Sequence, residues 1–268
     1  ETLLQRATAA FPDVRVVPNT QMRGLSGARN TALDAARFPL LAYLDDDAVA
    51  AKDWLASLCV HFVDPLMVAA GSAVEPNWEA ARPRWFPPEF DWVVGCSYQG
   101  LPLTLAPVRN PLGGAMVVRR ENVLAVGSFR TDLGRVGTLP VGCEETELCL
   151  RLVQRFENAR IVYDPTSSVH HFVPRHRARW SYYLKRCYGE GVSKAAVARV
   201  SPRTSALRTE RAYLSRVIPA AFANDVLHAR PLRATALVAG ITLGALGYAR
   251  GLAARMLRPV ALDPLRTR

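Results

Sequence analysis

Acidic residues all but disappear in the last third of this chain. Residues 170–268 hold 4 Asp and Glu against 18 Lys and Arg, whereas residues 1–169 hold 19 against 16. The net charge of +11 is therefore concentrated at one end. A near-neutral globular portion followed by a basic one points to an anionic surface for the second: lipid headgroups, nucleic acid or a phosphorylated ligand. Cysteine is also sparse. Cys59, Cys96, Cys143, Cys149 and Cys187 are odd in number and contain no CxxC pair, which argues against a disulfide framework or a structural zinc site and reads as reduced, cytosolic usage. Long apolar runs are missing too. One helical run, residues 234–249, has 16 uncharged residues between Arg233 and Arg250. At about 1.5 Å per residue it falls short of a ~30 Å hydrocarbon core, so an interfacial, re-entrant or buried helix is expected, with Gly240 and Gly244 offering a small face for close helix contact. No internal repeat, low-complexity tract or signal-peptide pattern is read. There is no initiator Met, and the chain opens at Glu1 within a helical pattern, so an N-terminal piece is expected to be missing.

What is present is organised around Leu40-Leu41-Ala42-Tyr43-Leu44-Asp45-Asp46-Asp47. The apolar run reads as a fully buried strand. Three adjacent carboxylates follow at its carboxyl end, the edge where open α/β sheets bind ligands. Their mutual repulsion calls for an offset, and a hard divalent cation such as Mg or Mn supplies it. The plain alternative is a solvated acidic turn.

Upstream, a helix is expected over residues 2–10 and a short strand at Val14–Val17. Ser26 is a plausible N-cap for a helix reaching Phe38, and the loop from Arg23 to Arg29 and Asn30, feeding that helix start, is a ready anion site. Downstream, residues 52–63 read as an amphipathic helix with Trp54, Leu55, Leu58, Cys59 and Phe62 inward. Val68–Ser72 reads as a second buried strand, and strands alternating with helices predict a mostly parallel sheet. Residues 76–110, rich in aromatics and proline, break the pattern and read as a functional loop, its rings suited to sugar faces or lipid chains, or simply to plugging the loop onto the sheet. Residues 113–118 read as a strand whose glycines allow close backbone approach. A second acidic cluster, Glu144, Glu145 and Glu147, opens a helix through Phe156, where acids favour the macrodipole. Helical phase places Glu145 with Leu148, Cys149 and Leu152 on the apolar face, and Glu144 with Glu147 and Arg151 on an outer one. Short strands follow at Ile161–Tyr163 and Val169–Phe172, the second carrying His170 and His171 as metal-ligand candidates. The remainder reads as basic helices, with a break at Gly189-Glu190-Gly191.

The order of GLSGARN (24–30), YLDDDA (43–48), WL (54–55), GGAMVVRR (113–120), GSF (127–129), EETELCLRL (144–152) and YDPTSSVHH (163–171) resembles the family 2 glycosyltransferases. The resemblance covers roughly residues 14–195 and implies an α/β, Rossmann-like GT-A fold: a mostly parallel sheet flanked by helices, plus a C-terminal helical segment. It divides the chain into a catalytic domain, 1–175, lacking its first strands, and a basic helical segment, 176–268, expected at the membrane. It implies inverting transfer of a sugar from a nucleotide-diphosphate donor to a hydroxyl on a glycan or lipid-linked acceptor, at the cytoplasmic face of the cell membrane and with no nucleic-acid partner. In its terms Asp45 and Asp47 hold Mn or Mg, His171 is the third ligand with His170 second in line, and Glu145 is the catalytic base. Arg23, Arg29, Asn30 and Asp46 fall to the donor, and Gly113, Gly114, Trp92 and Glu144 to the acceptor. The family's opening strands and base-reading acid have no counterpart here. Two readings compete: a basic membrane- or nucleic-acid-binding module without catalysis, and a metal-dependent phosphohydrolase on the Asp triplet.

Overall fold

The computed structural model describes residues 6, 8, 11, 13–134, 142–200 and 208–256. The helix expected over residues 2–10 lies largely outside them. Among the described residues the order is α1 (Leu25–Ala35), β1 (Leu40–Leu44), β2 (Ala48–Ala50), α2 (Trp54–Cys59, continued as a 3-10 turn to Val63), β3 (Met67–Trp78), β4 (Ala106–Pro107), β5 (Ala115–Arg119), α3 (Arg120–Ala125), α4 (Glu144–Arg155), β6 (Arg160–Val173), α5 (Trp180–Val200), α6 (Arg208–Ala212), α7 (Ile218–Leu227) and α8 (Pro231–Met256).

The sheet runs β1-β5-β3-β6-β2, with β4 also on β6. The class is the expected one, a central sheet between helices. Strand direction is more mixed than a mostly parallel sheet: β3 and β6 are parallel, while β1–β5, β3–β5, β2–β6 and β4–β6 are antiparallel. The helical connections that impose parallel crossovers are replaced here by the long irregular stretch after β3, which lets β5 return antiparallel. β1 is not fully buried. Among the described strands only β5 pairs it, and just Tyr43 of its five residues is buried. Val14–Val17 forms no strand; these residues are exposed and have no ladder partner among the described residues. The two strands expected between 161 and 172 are one, since β6 continues across a register shift opposite Ser72/Ala73.

The largest core joins the sheet to the C-terminal helices. Trp54, Leu58, Ala70 and Val117 share it with Phe86, Phe90, Tyr183, Cys187 and Leu237. The aromatics of the irregular stretch do much of the filling: Trp85 stacks on Trp180 at 4.2 Å, and Phe86 and Phe90 meet Tyr183 at 5.4 Å each. The expected break at Gly189–Gly191 is absent, and α5 is continuous. Gly191 instead makes room for a neighbour: a Cβ there would collide with the Gly244 carbonyl of α8, which is how two helices approach this closely. The expected close-contact face of α8 is thus seated on α5. A second core, around Leu33, Met116, Leu148 and Leu152, pins α1 and α4 on the opposite face.

Candidate functional site

A cleft of about 940 Å³ lies between the carboxyl end of β1, the start of α4 and the helices α5, α6 and α8. Asp45–Asp47 form the turn from β1 into β2. The Asp45 N–H donates to the Gly114 carbonyl at 3.2 Å, and the Phe172 N–H donates to the Asp47 carbonyl at 2.8 Å, so β5 and β6 fix this turn from both sides. A Cβ on Gly114 would strike the Asp45 carboxylate, which explains the glycine. The β2–β6 register sets His171 opposite Ala48 and His170 opposite Val49. Alternation then decides between the two histidines. His171 is buried with Nε2 3.0 Å from Asp47 Oδ1, whereas His170 is exposed beside Glu75. Ligand atoms of Asp45, Asp47 and His171 lie within 4.8 Å of one another. Two carboxylate oxygens and an imidazole nitrogen form a donor set that suits Mn or Mg.

Arg29 connects this group to the second acidic cluster. Its guanidinium is buried between the rings of Tyr43 and Phe129, 5.7 and 5.6 Å from their centroids. Nη1 donates to Glu144 Oε1 at 2.9 Å, and Nη2 lies 3.7 Å from Asp45 Oδ1. Gly113 passes directly over it, where a Cβ would come within 2.8 Å of Nη1.

The expected outer face for Glu144 and Glu147 is a correction. Both are buried, because each has an arginine brought to it: Arg29 for Glu144, and Arg151 for Glu147 through contacts of 2.8 and 2.7 Å. The i,i+4 pair is present, but inside; Arg151 also donates to the carbonyls of Val126 and Ser128. Glu144 Oε2 has no hydrogen-bond partner among the described residues. Glu145 lines the cleft, and its carboxyl is pushed up to about 8, first by burial and then by the neighbouring Glu144 charge, with Arg29 opposing.

Arg23, Asp46, Trp92, Gly113 and Gly114 also line the cleft. Asn30 does not. Its amide is taken up by the Phe129 backbone, donating at 2.8 Å and accepting at 2.9 Å, so it ties α1 to the Gly127–Phe129 turn. Ser26 is no cap either: its hydroxyl donates to the Leu133 carbonyl at 2.6 Å, and Gly24 holds the N-cap position.

Sequence reasoning missed the far wall. There Glu210 takes Arg109 at 2.6 Å and Lys194 at 2.8 Å, and Lys194 reaches Glu190 at 3.3 Å. Burial alone would raise the Glu210 carboxyl, but Lys194 and Arg109 outweigh it and bring it down to about 2. The signal available was scarcity. Of the four acids in the last third of the chain, Glu190 and Glu210 sit here, and Asp225 is wholly buried beside Arg230 and Arg233.

The fold and this cleft define an α/β protein of GT-A type, with a carboxylate–imidazole group at the sheet edge. Residues 1–124 match the model of Glycosyl transferase family 2. The chain is 31% identical over 194 residues to a glucosyl-dolichyl phosphate glucuronosyltransferase of Haloferax volcanii, covering 72% of this chain and 62% of that protein. It is 28% identical over 195 residues to a pre-mycofactocin glycosyltransferase of Mycobacterium tuberculosis, covering 70% and 38%. It thus spans less than two thirds of the length of either relative. Among solved structures, mannosyltransferase PcManGT from Pyrobaculum calidifontis, in complex with GDP-Man and Mn2+, superposes with a TM-score of 0.53 at 21% identity over 95% of this chain and 66% of that one. Together these matches support placing the chain in the family 2 glycosyltransferases.

Proposed function

We propose that this chain transfers a sugar, with inversion, from a nucleotide-diphosphate donor to a hydroxyl of a glycan or lipid-linked acceptor at the cytoplasmic face of a membrane. The observation that carries the reading is the convergence of Asp45, Asp47 and His171 at one end of a cleft that Glu145 also lines. These three residues would hold Mn or Mg, and the bound cation supplies charge neutralisation for the leaving diphosphate. Glu145 takes the proton from the acceptor hydroxyl as its oxygen attacks the anomeric carbon, and the bond from that carbon to the diphosphate breaks with its electrons leaving on the diphosphate. Its raised pKa suits it to accept a proton near neutral pH. Arg23 and Asp46, exposed at the rim, meet the donor. Arg29 lines the cleft from a buried position and holds Asp45 and Glu144 in place there. Trp92 offers a flat apolar face to a sugar on the acceptor side, beside Gly113, Gly114 and Glu144. Residues 1–175 supply the chemistry, and residues 176–268 supply the far wall and the membrane contact. The Haloferax relative, by its name, acts on a lipid-linked sugar phosphate, which agrees with a lipid-linked acceptor here.

The test is product analysis with the purified full chain, a panel of nucleotide-diphosphate sugars, Mn or Mg, and glycan and lipid-linked acceptors. A glycoside of inverted anomeric configuration, lost on chelation, is expected. Release of inorganic phosphate without an acceptor would mean a phosphohydrolase, and no metal-dependent binding of any nucleoside diphosphate would leave only a binding module.

A further inference from the structure

Helix α7 has the wrong surroundings for its composition. Ile218–Leu227 reads IPAAFANDVL, yet only Ala221 and Asp225 are buried. Phe222, Val226 and Leu227 are 41%, 57% and 82% exposed. A helix that is apolar nearly all round belongs in an apolar phase. The adjacent α8 adds a stripe along its outer side, where Leu232, Val238 and Leu246 are exposed, with Thr235, Thr242 and Ala249 between and beside them. Arg216, Arg230 and Arg250 are exposed on these same helices and their flanks.

The inner side of α8 is already in use. Ala236 and Leu237 are fully buried in the main core, and the Tyr183 hydroxyl donates to the Ala236 carbonyl at 2.8 Å. A Cβ on Gly247 would strike the Tyr188 carbonyl of α5, and Ile241, Gly244 and Tyr248 line the cleft. By length and composition α8 could cross a membrane; 28% of its apolar window is buried inside the protein, Ala236 and Leu237 in the main core, and Gly240, Ile241, Gly244, Ala245 and Tyr248 line the cleft. Spanning would strip α8 from α5 and dismantle the cleft. Leu214 and Ala245, both exposed, line the cleft as well, so the apolar surface continues into its mouth.

We infer that α7 and the outer stripe of α8 form a monotopic docking surface for an anionic lipid bilayer, with α8 lying on the membrane rather than through it and the cleft opening at the lipid surface. This deepens the membrane part of the proposed function and rests on it. The partner follows from the surface: an apolar platform studded with arginines, in a segment with 18 basic and 4 acidic residues, complements anionic headgroups over acyl chains.

The test is vesicle flotation of the full chain, wild type and Leu227→Glu/Leu232→Glu, on phosphatidylcholine alone and on phosphatidylcholine with one quarter phosphatidylglycerol. Both leucines are exposed and outside the cleft, so folding, checked by thermal melting, and metal-dependent nucleoside diphosphate binding should be unchanged. Wild type should float with the anionic vesicles, weaken with salt, and lose about tenfold or more of its binding in the variant, as expected for losing the burial of a large aliphatic side chain. Retention of both proteins through high salt and alkaline carbonate, with release only by detergent, would mean that α8 spans and would overturn the inference. So would absence of flotation, with self-association that the variant abolishes, since the face would then be a protein interface. Loss of nucleotide binding with flotation intact would count against the proposed chemistry and not against the docking surface.

Discussion

One wall of the cleft is made from short runs of residues, although the runs themselves meet across as many as 115 positions, as Arg29 and Glu144 do. Asp45, Asp46 and Asp47 are consecutive, Glu144 and Glu145 adjacent, Gly113 and Gly114 adjacent. The other is made from residues brought together across 101 positions: Arg109 from the irregular stretch before β5, Glu190 and Lys194 from α5, Glu210 from α6. The first wall crowds like charges and leaves part of the cost unrelieved, as the raised Glu145 carboxyl and Glu144 Oε2, unpartnered among the described residues, attest. The second alternates charges and satisfies them, holding Glu210 ionised down to about 2. Crowded like charge is the arrangement for binding a cation and moving a proton; alternating charge is the arrangement for fixing structure.

The largest expected effect tests the first wall. Glu145→Gln in the full chain should lower turnover about 10²–10⁴-fold while donor affinity, measured by calorimetry, is nearly kept. A base must be deprotonated to act, so wild-type turnover should rise with pH through the region of about 8, and the variant should lose that limb. The stability sign is the opposite of the usual one for a carboxylate. A folded pKa above the unfolded value means that the native state binds the proton more tightly, so stability is full below the ordinary carboxylate range and falls as pH rises through about 8. Denaturant melts of wild type and variant should diverge over that window. If Glu144→Gln proves the more damaging to turnover, proton transfer belongs to the wrong neighbour in this account.

The second wall should fail differently. Glu210→Ala leaves Lys194 and Arg109 largely buried with less to oppose them, which should cost about 3 kcal/mol, the low end for breaking a buried pair. The sign here is the ordinary one: the Glu210 pKa is depressed, so its contribution is present above the usual carboxylate range and is lost as pH falls through about 2. A variant whose thermal stability is unchanged but whose turnover collapses would move Glu210 to the chemical side of the comparison.

The same contrast accounts for what was legible in the sequence. Asp45–Asp47, the paired glycines and the start of α4 could be read because short runs encode them and adjacent elements present them at one sheet edge. The helical wall could not, since no local pattern says that residue 109 will meet residue 210. The phase of α4 was misread for all three acids: Glu144 and Glu147 are buried because Arg29 and Arg151 arrive as partners, while Glu145, expected innermost, is only half-buried and faces the cleft. β1 looked central from its run of apolar residues, yet a strand is only as buried as its neighbours make it, and among the described strands it has one. The length of the apolar run at 234–249 understated α8, which is helical from Pro231 through Met256, past both flanking arginines.

The smallest expected effect separates two adjacent histidines. Both lie on β6 opposite β2, and a strand turns successive side chains to opposite faces, so adjacency in sequence places them in opposite environments. His171 faces Asp47 at 3.0 Å and is 4% exposed; His170 faces outward, 3.6 Å from Glu75, with both partners more than half exposed. An exposed pair of this kind is worth at most about 1 kcal/mol, and a surface substitution away from such features stays within about 0.5 kcal/mol. His170→Ala should therefore leave melting temperature, metal affinity and turnover within error of wild type. His171→Ala removes one of three ligand candidates and should weaken Mn binding, read by calorimetry with a nucleoside diphosphate present. Equal loss in both variants would mean that the β2–β6 register differs from the one described, since a slip of one residue exchanges the two faces and brings His170 to the acids instead.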